Sequence, residues 1–208
     1  MRKSFVILSA GKPKNFDRSI CLFGEEEKLI DRQIEAINSR YSKADIYVCV
    51  GFDAKNAINH LHSKHKDVRI IENTNYESST FESLRISINA INCCELFVIH
   101  GDRFFNTKAI DSKERKPFIS IDPEDCGSKQ EFKTRVGVCH QSGYLNNMSY
   151  GLEQVWGGIF YIPDSAFVGF RDRANNMKRY SQLYDLINQQ NSYELFQVKQ
   201  KGVVIKEI

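Results

Sequence analysis

The sequence predicts an α/β protein whose core is a doubly wound, mostly parallel mixed sheet with a small β-hairpin lobe. Three observations carry that reading. Apolar runs at residues 5–8, 45–50, 68–71 and 96–99 are short enough to be buried strands and end at turn residues. Helical periodicities separate them, and a strand–helix–strand unit in one sheet pairs its strands in parallel. Beyond residue 102 the pattern changes to strands: residues 117–121, 135–139 and 156–162, with a polar insert at 141–151 that suggests the hairpin lobe.

Each element has its own signal. Residues 5–8 (Phe-Val-Ile-Leu) have no polar member, as a strand covered on both faces requires, and Ser9-Ala10-Gly11 is a small-residue turn where backbone can approach a ligand closely. Lys12, Lys14 and Arg18 follow at once, so strand, glycine turn and cationic loop together have the make-up of a phosphate site. An ordinary connection with solvated lysines is the alternative. Residues 28–41 place Leu29, Ile30, Ile34 and Ile37 on one helical face, and the preceding Glu25, Glu26 and Glu27 suit a helix N-terminus, so no metal role is needed for them. A second helix covers about 54–63. His60 and His62, two apart, point to different sides of it, so no shared metal is expected among His60, His62 and His65. Ser79-x-x-Glu82 reads as a capping box opening a helix to about residue 91. Ser79, Thr80 and Ser83, with the first amides of that helix, are candidates for a ligand's polar edge, or simply caps. The strand at 96–99 ends in His100-Gly101-Asp102, and an aspartate at the carboxyl end of a central strand stands where open α/β sheets bind ligands. Residues 180–190 read as a helix, and 195–199 with 203–206 as a closing strand pair around Lys201-Gly202.

The totals exclude several classes. A length of 208 residues suits one sizeable core, and a net charge of +3 argues against a dedicated nucleic-acid binder. No apolar run approaches the roughly 20 residues that span a membrane, and residues 5–8 are too few for a signal-peptide core. Six cysteines include no C-x-x-C pair, which gives a zinc site of that type no support and points to a reducing, cytoplasmic setting.

An ordered set of motifs resembles the nucleotidyltransferases of GT-A-like fold, which include sugar-phosphate, choline-phosphate and molybdenum-cofactor nucleotidyltransferases. Ile7-Leu-Ser-Ala-Gly11 resembles their L-A-A-G opening, and Leu29-Ile-Asp-Arg-Gln-Ile34 their L-I-D-R-Q-I helix. Tyr47-Val-Cys-Val-Gly-Phe52 is similar to V-V-V-G-Y, Asn73-x-x-Tyr76 through Ser83-Leu84 to N-P-x-Y…S-L, and Val98-Ile-His-Gly-Asp102 to the G-D strand end. Gly158-Ile-Phe-Tyr161 and Gly202-Val-Val-Ile-Lys-Glu207 resemble the G-I-Y and W-x-E-I-D strands.

The resemblance implies a single domain over 1–208, with a nucleotide-binding half (1–110) and an acceptor-binding half (111–208). It implies transfer of a nucleoside monophosphate from an NTP, CTP or another, to a phosphorylated small molecule, with Mg²⁺ as cofactor and pyrophosphate as product. Leu8, Ser9, Ala10, Gly11, Lys12, Ser79, Thr80 and Ser83 would contact the nucleotide; Lys14, Arg18 and Asp102 would serve catalysis; Asp102 and Glu207 would hold the metal. Neither nucleic acid nor membrane is an expected partner, and a homo-oligomer is compatible. The phosphate loop departs from the family's G-x-G-x-R: it reads Gly11-Lys-Pro-Lys-Asn15, and Pro13 removes an amide donor. The family's P-K aligns with Ser19-Ile20, leaving Lys12, Lys14 or Arg18 to supply charge from a shifted position. Two alternatives stay open: a catalytically degenerate nucleotide-binding or interaction protein, and a glycosyltransferase, which would usually carry D-x-D where this chain has His100-Gly-Asp102.

Overall fold

The strand β1 (Lys3–Ser9) lies between two partners and buries every residue from Ser4 to Ser9. Its alternation assigns side chains to two layers. Phe5 and Ile7 join a core with Ile30, Ile34, Ile37, Ala57 and Leu61. Val6 and Leu8 join another with Phe81, Leu84, Ile88, Phe167, Phe170 and Leu186. Phe5 stacks on Phe97 with ring centroids 4.6 Å apart, a contact that adds to the burial of both rings. The structure, a computed structural model, describes residues 3–12, 28–92, 95–122, 135–199 and 203–204.

β1 pairs in parallel with β2 (Asp45–Val50) on one side and β4 (Glu95–His100) on the other, and β3 (Arg69–Glu72) extends the sheet beyond β2, again in parallel. Helices α1 (Leu29–Arg40), α2 (Ala54–Lys64) and α3 (Thr80–Asn89) connect them. The pairing of these four strands is the one the apolar runs suggest.

The rest of the sheet departs from expectation. β9 (Gln154–Ile162) lies antiparallel to β4, and the order continues through β6 (Phe118–Ile121), β10 (Gln197–Lys199), β8 (Tyr144–Tyr150) and β7 (Val136–Gln141). β7 then pairs back onto β9 through Gly137↔Val155 and Val138↔Gln154, so β9, β6, β10, β8 and β7 close into a small barrel. An open, doubly wound sheet is therefore not what this mixed α/β fold presents. Closure removes strand edges, which an open antiparallel extension would have left exposed.

Within residues 141–151, read as a polar insert, β8 forms a tight hairpin with β7. Ser142 (φ 53°) and Gly143 (φ 80°) both take left-handed backbone, the requirement of a two-residue turn that matches strand twist. Two further elements differ from the sequence reading. A helix α4 (Asp164–Asn176) follows Pro163 where none was expected, and α5 (Leu183–Asn191) begins three residues later than predicted. The expected closing pair around Lys201-Gly202 is also overturned. β10 pairs with β6 and β8, while β11 (Val203–Val204) pairs antiparallel with β5 (Phe104–Phe105). The last strand thus reaches back to the segment that follows Asp102.

No helix among the described residues is long and apolar enough to cross a membrane.

Candidate active site

The register Leu8↔His100 makes Ser9-Ala10-Gly11 and Gly101-Asp102 leave the sheet side by side, at the carboxyl ends of adjacent parallel strands. The Gly101 amide donates to the Leu8 carbonyl at 2.9 Å, which fastens the two strand ends. A Cβ on Gly101 would stand 2.0 Å from Ser9 Oγ, so only glycine lets these turns approach. On the other side the Phe52 amide donates to the Ala10 carbonyl at 2.9 Å, and a Cβ on Gly51 would meet Tyr76 Cβ at 2.5 Å. Phe52 and Tyr76 then form an edge-to-face aromatic wall with centroids 6.2 Å apart, and Lys12 Nζ lies 5.6 Å above the Phe52 ring.

Leu8, Ser9 and Ala10 are buried, and Gly11 and Lys12 are exposed. Asp102 is exposed at the turn, with its Oδ1 3.3 Å from Arg103 Nε. Ser79 accepts a hydrogen bond from the Glu82 amide at 3.1 Å and donates to the Arg179 carbonyl at 3.1 Å, so its hydroxyl both caps α3 and joins it to a distant turn. Glu82 does not complete the capping box: its carboxylate turns to Arg85 instead, at 2.6 and 2.7 Å. Thr80 is exposed in the first turn of α3. Ser83 is buried and accepts from Asn73 Nδ2 at 2.9 Å, an interior fastening of α3 to the residue that follows β3. Lys14, Arg18 and Glu207 lie outside the described residues.

Several groups at this site carry no strong sequence signal. Gln33, on α1, donates through Nε2 to the His100 carbonyl at 3.0 Å and the Arg103 carbonyl at 2.6 Å. This side chain thus braces the His100–Arg103 turn, which the Arg103 amide closes by donating to the His100 carbonyl at 3.2 Å. Gly158 on β9 has φ +76°, and a Cβ there would strike Arg103 Cγ at 2.8 Å, so its absence gives the Arg103 side chain its place. Trp156 meets His100 edge to face at 4.8 Å. Burial is the largest influence on His100 and, against the pull of Asp102, holds its pKa down to about 4; the ring is neutral near pH 7. The motif Leu29 to Ile34 contains Gln33, and Gly158 opens the Gly158–Tyr161 motif, but only the fold shows what each touches.

The electrostatic character of the site comes from polar atoms left unsatisfied. Among the described residues six buried side-chain polar atoms lack a hydrogen-bond partner, and four are here: Ser9 Oγ, Gln33 Oε1, His100 Nε2 and Arg103 Nε. Buried polar groups are ordinarily paired, and an unpaired one costs about 1–3 kcal/mol. Four gathered at one set of strand ends make this face the candidate site. A hollow of about 820 Å³ at the amino ends of β2 and β3, lined by Asn38, Ser42, Asp45, Asp67 and Arg69, has none of these atoms. For a divalent cation, Asp102 supplies a hard, accessible carboxylate, the donor that Mg²⁺ favours together with substrate phosphate oxygens and water.

No family model matches the chain, and no curated protein does. Solved structures do. CTP:phosphocholine cytidylyltransferase from Streptococcus pneumoniae is 19% identical, with a TM-score of 0.74 over 96% of this chain and 90% of that one. The inositol-1-phosphate CTP transferase of T. maritima is 12% identical, with a TM-score of 0.70 over 95% of this chain and 84% of the other. A UDP-glucose pyrophosphorylase complexed with UDP-glucose is 12% identical, with a TM-score of 0.70 over 99% and 93%. The chain therefore has the mixed α/β fold of the nucleotidyltransferases along nearly its full length.

Proposed function

We propose that this protein is a Mg²⁺-dependent nucleotidyltransferase, acting on an NTP and a phosphorylated small molecule. The observation that carries the reading is the convergence, at the carboxyl ends of β1 and β4, of the buried Ser9 Oγ and His100 Nε2, neither with a hydrogen-bond partner, and of Arg103 Nε, which makes no hydrogen bond and has Asp102 Oδ1 at 3.3 Å as its ion-pair partner. The fold shared with CTP- and UTP-type transferases supports it. The base is then held by the half up to residue 110, against the Phe52–Tyr76 wall and the start of α3. Backbone of Ser9 to Lys12 approaches the phosphates, with Lys12, Lys14 and Arg18 supplying charge, and the acceptor occupies the barrel half.

In the reaction an acceptor phosphate oxygen bonds to the α-phosphorus, the bond from that phosphorus to its bridging oxygen breaks, and pyrophosphate leaves with the electron pair. Little covalent chemistry falls to the protein, so positioning and charge neutralisation dominate. Asp102, with Glu207, would hold Mg²⁺, which when bound offsets negative charge on the phosphates. Gln33 keeps the turn that carries Asp102 and Arg103 in one shape. Arg103, half-buried beside β9, is set to receive an anionic oxygen.

Replacement of the family's loop glycine and arginine by Pro13 and Asn15 favours a second reading, a nucleotide-binding protein without transfer. Thermal unfolding in the presence of CTP, UTP, GTP, ATP or dTTP, each with Mg²⁺, tests what both readings share. A bound nucleotide raises the melting temperature by mass action. At least one of the five should do so, and no shift with any of them contradicts nucleotide binding altogether.

A further inference from the structure

A second cluster, on α1 and α2, has no part in the site above. Asp31, in the first turn of α1, is 1% exposed. His60 Nε2 and His65 Nε2 both stand 2.7 Å from the same carboxylate oxygen, Oδ1, while Lys64 Nζ holds the other, Oδ2, at 2.8 Å. The two imidazoles meet at 68° with centroids 6.3 Å apart, so they approach the oxygen from different directions. His62 is exposed and outside the group. Helical spacing rightly separates His60 from His62, but His65 is the residue that ends α2. Its backbone (φ −131°, ψ 70°) leaves the helix and brings the ring back to Asp31.

We propose that Asp31, His60 and His65 form a binding site for a transition-metal dication of the Zn²⁺ class, separate from the Mg²⁺ of the proposed reaction. Their three donor atoms lie within 4.8 Å of one another. Two imidazole nitrogens and one carboxylate oxygen suit Zn²⁺, Co²⁺, Ni²⁺ or Cu²⁺, whereas Mg²⁺ takes oxygen almost alone. Ligands about 2.0–2.1 Å from a tetrahedral ion stand about 3.3 Å apart, so each ring withdraws by roughly 0.6 Å to admit it. Both rings are partly exposed, at 16% and 10%, and have room to do so. Lys64 does not need to leave: it sits on Oδ2, as an outer partner that orients the carboxylate for a metal on Oδ1. With three protein ligands, the fourth position is open to water or an exchangeable group. Occupancy would lock the first turn of α1 to the end of α2, two residues from Gln33.

The test does not depend on nucleotide chemistry. Metal-free protein is titrated with Co²⁺, read by the visible bands of a four-coordinate ion, and with Zn²⁺, read by equilibrium dialysis. One ion per chain is expected, with a rise in melting temperature. His60→Gln and His65→Gln keep a hydrogen-bonding amide at Asp31, so they preserve packing while removing a ligand nitrogen. Each should weaken binding by more than the ~10–100-fold typical of outer-shell changes. His62→Gln should bind as the parent does. Melting in EDTA confirms that each variant is folded. An absence of binding by the parent overturns the proposal, as does undiminished binding by both glutamine variants or equal loss in His62→Gln.

Discussion

Arg103 shows how little of this site is visible one residue at a time. An arginine after Gly-Asp in a sequence is a solvated cation by default. Here its Nε is buried without a hydrogen bond, ion-paired to Asp102 at 3.3 Å, and the side chain is held against β9 because Gly158 has no side chain to displace it. Gly158→Ala should therefore do two things. It places a Cβ at positive φ and pushes the guanidinium away, costing about 1–3 kcal/mol of stability by urea unfolding. It should also lower kcat of the proposed transfer more than it raises KM, because Arg103 is assigned to charge that develops during reaction. Unchanged stability would show that β9 relaxes around the new methyl. Gln33 makes a similar point: within an apolar helical stripe its role is fixed by two carbonyls about seventy positions away, which no local pattern reveals.

At the scale of elements, α3 illustrates what was legible and what was not. Ser79 was legible as a cap because a hydroxyl three residues before an acidic residue has a local partner in the Glu82 amide. The destination of the Glu82 carboxylate was not, since Arg85 offers a stronger, two-pronged partner than the Ser79 amide. That pair makes a pH prediction. Hydrogen bonding to Arg85 is the largest influence on Glu82 and lowers its pKa, against the effect of burial. A carboxylate depressed in the folded state contributes stability that is fully present above its unfolded pKa and lost as pH falls through the folded value. Arg85→Ala should thus cost about 2 kcal/mol near neutral pH, and the gap to the parent should shrink below about pH 4, in urea unfolding series. A gap independent of pH would assign the loss to packing of the arginine stem.

Across the whole molecule, β1, β2 and β4 are readable because each is a dense apolar run that the fold buries, whereas β3 is a partly exposed edge strand whose Ile70 and Ile71 alone signal it. The barrel is not readable, because closure depends on β9 pairing with β4, β6 and β7, and strand partners far apart in sequence leave no periodic trace. The same holds for β11, whose two residues look like half of a local hairpin but pair with Phe104 and Phe105. In that pairing Val203 stands opposite Phe105 and Val204 opposite Phe104 in register, so the last described strand runs along β5 toward its Asp102 end. Likewise the strand-end glycines point to a candidate site in the sequence, while the buried atoms around them that lack a hydrogen bond become apparent only with β1, β4 and β9 side by side.

The strand ends around Asp102 are proposed to transfer a nucleotidyl group. Pyrophosphate release is the most direct measure of that transfer, assayed with the nucleotide that stabilises the protein, Mg²⁺, and choline phosphate, inositol phosphate and hexose 1-phosphates as acceptors. Release is expected with the parent protein and at least one acceptor. Asp102→Ala should lower it by about a hundredfold or more, the loss of several kcal/mol expected when charge neutralisation at a phosphoryl centre is removed. Release by the parent that Asp102→Ala leaves unchanged would contradict the role of this site, and nucleotide binding without release for any acceptor would replace transfer with binding alone.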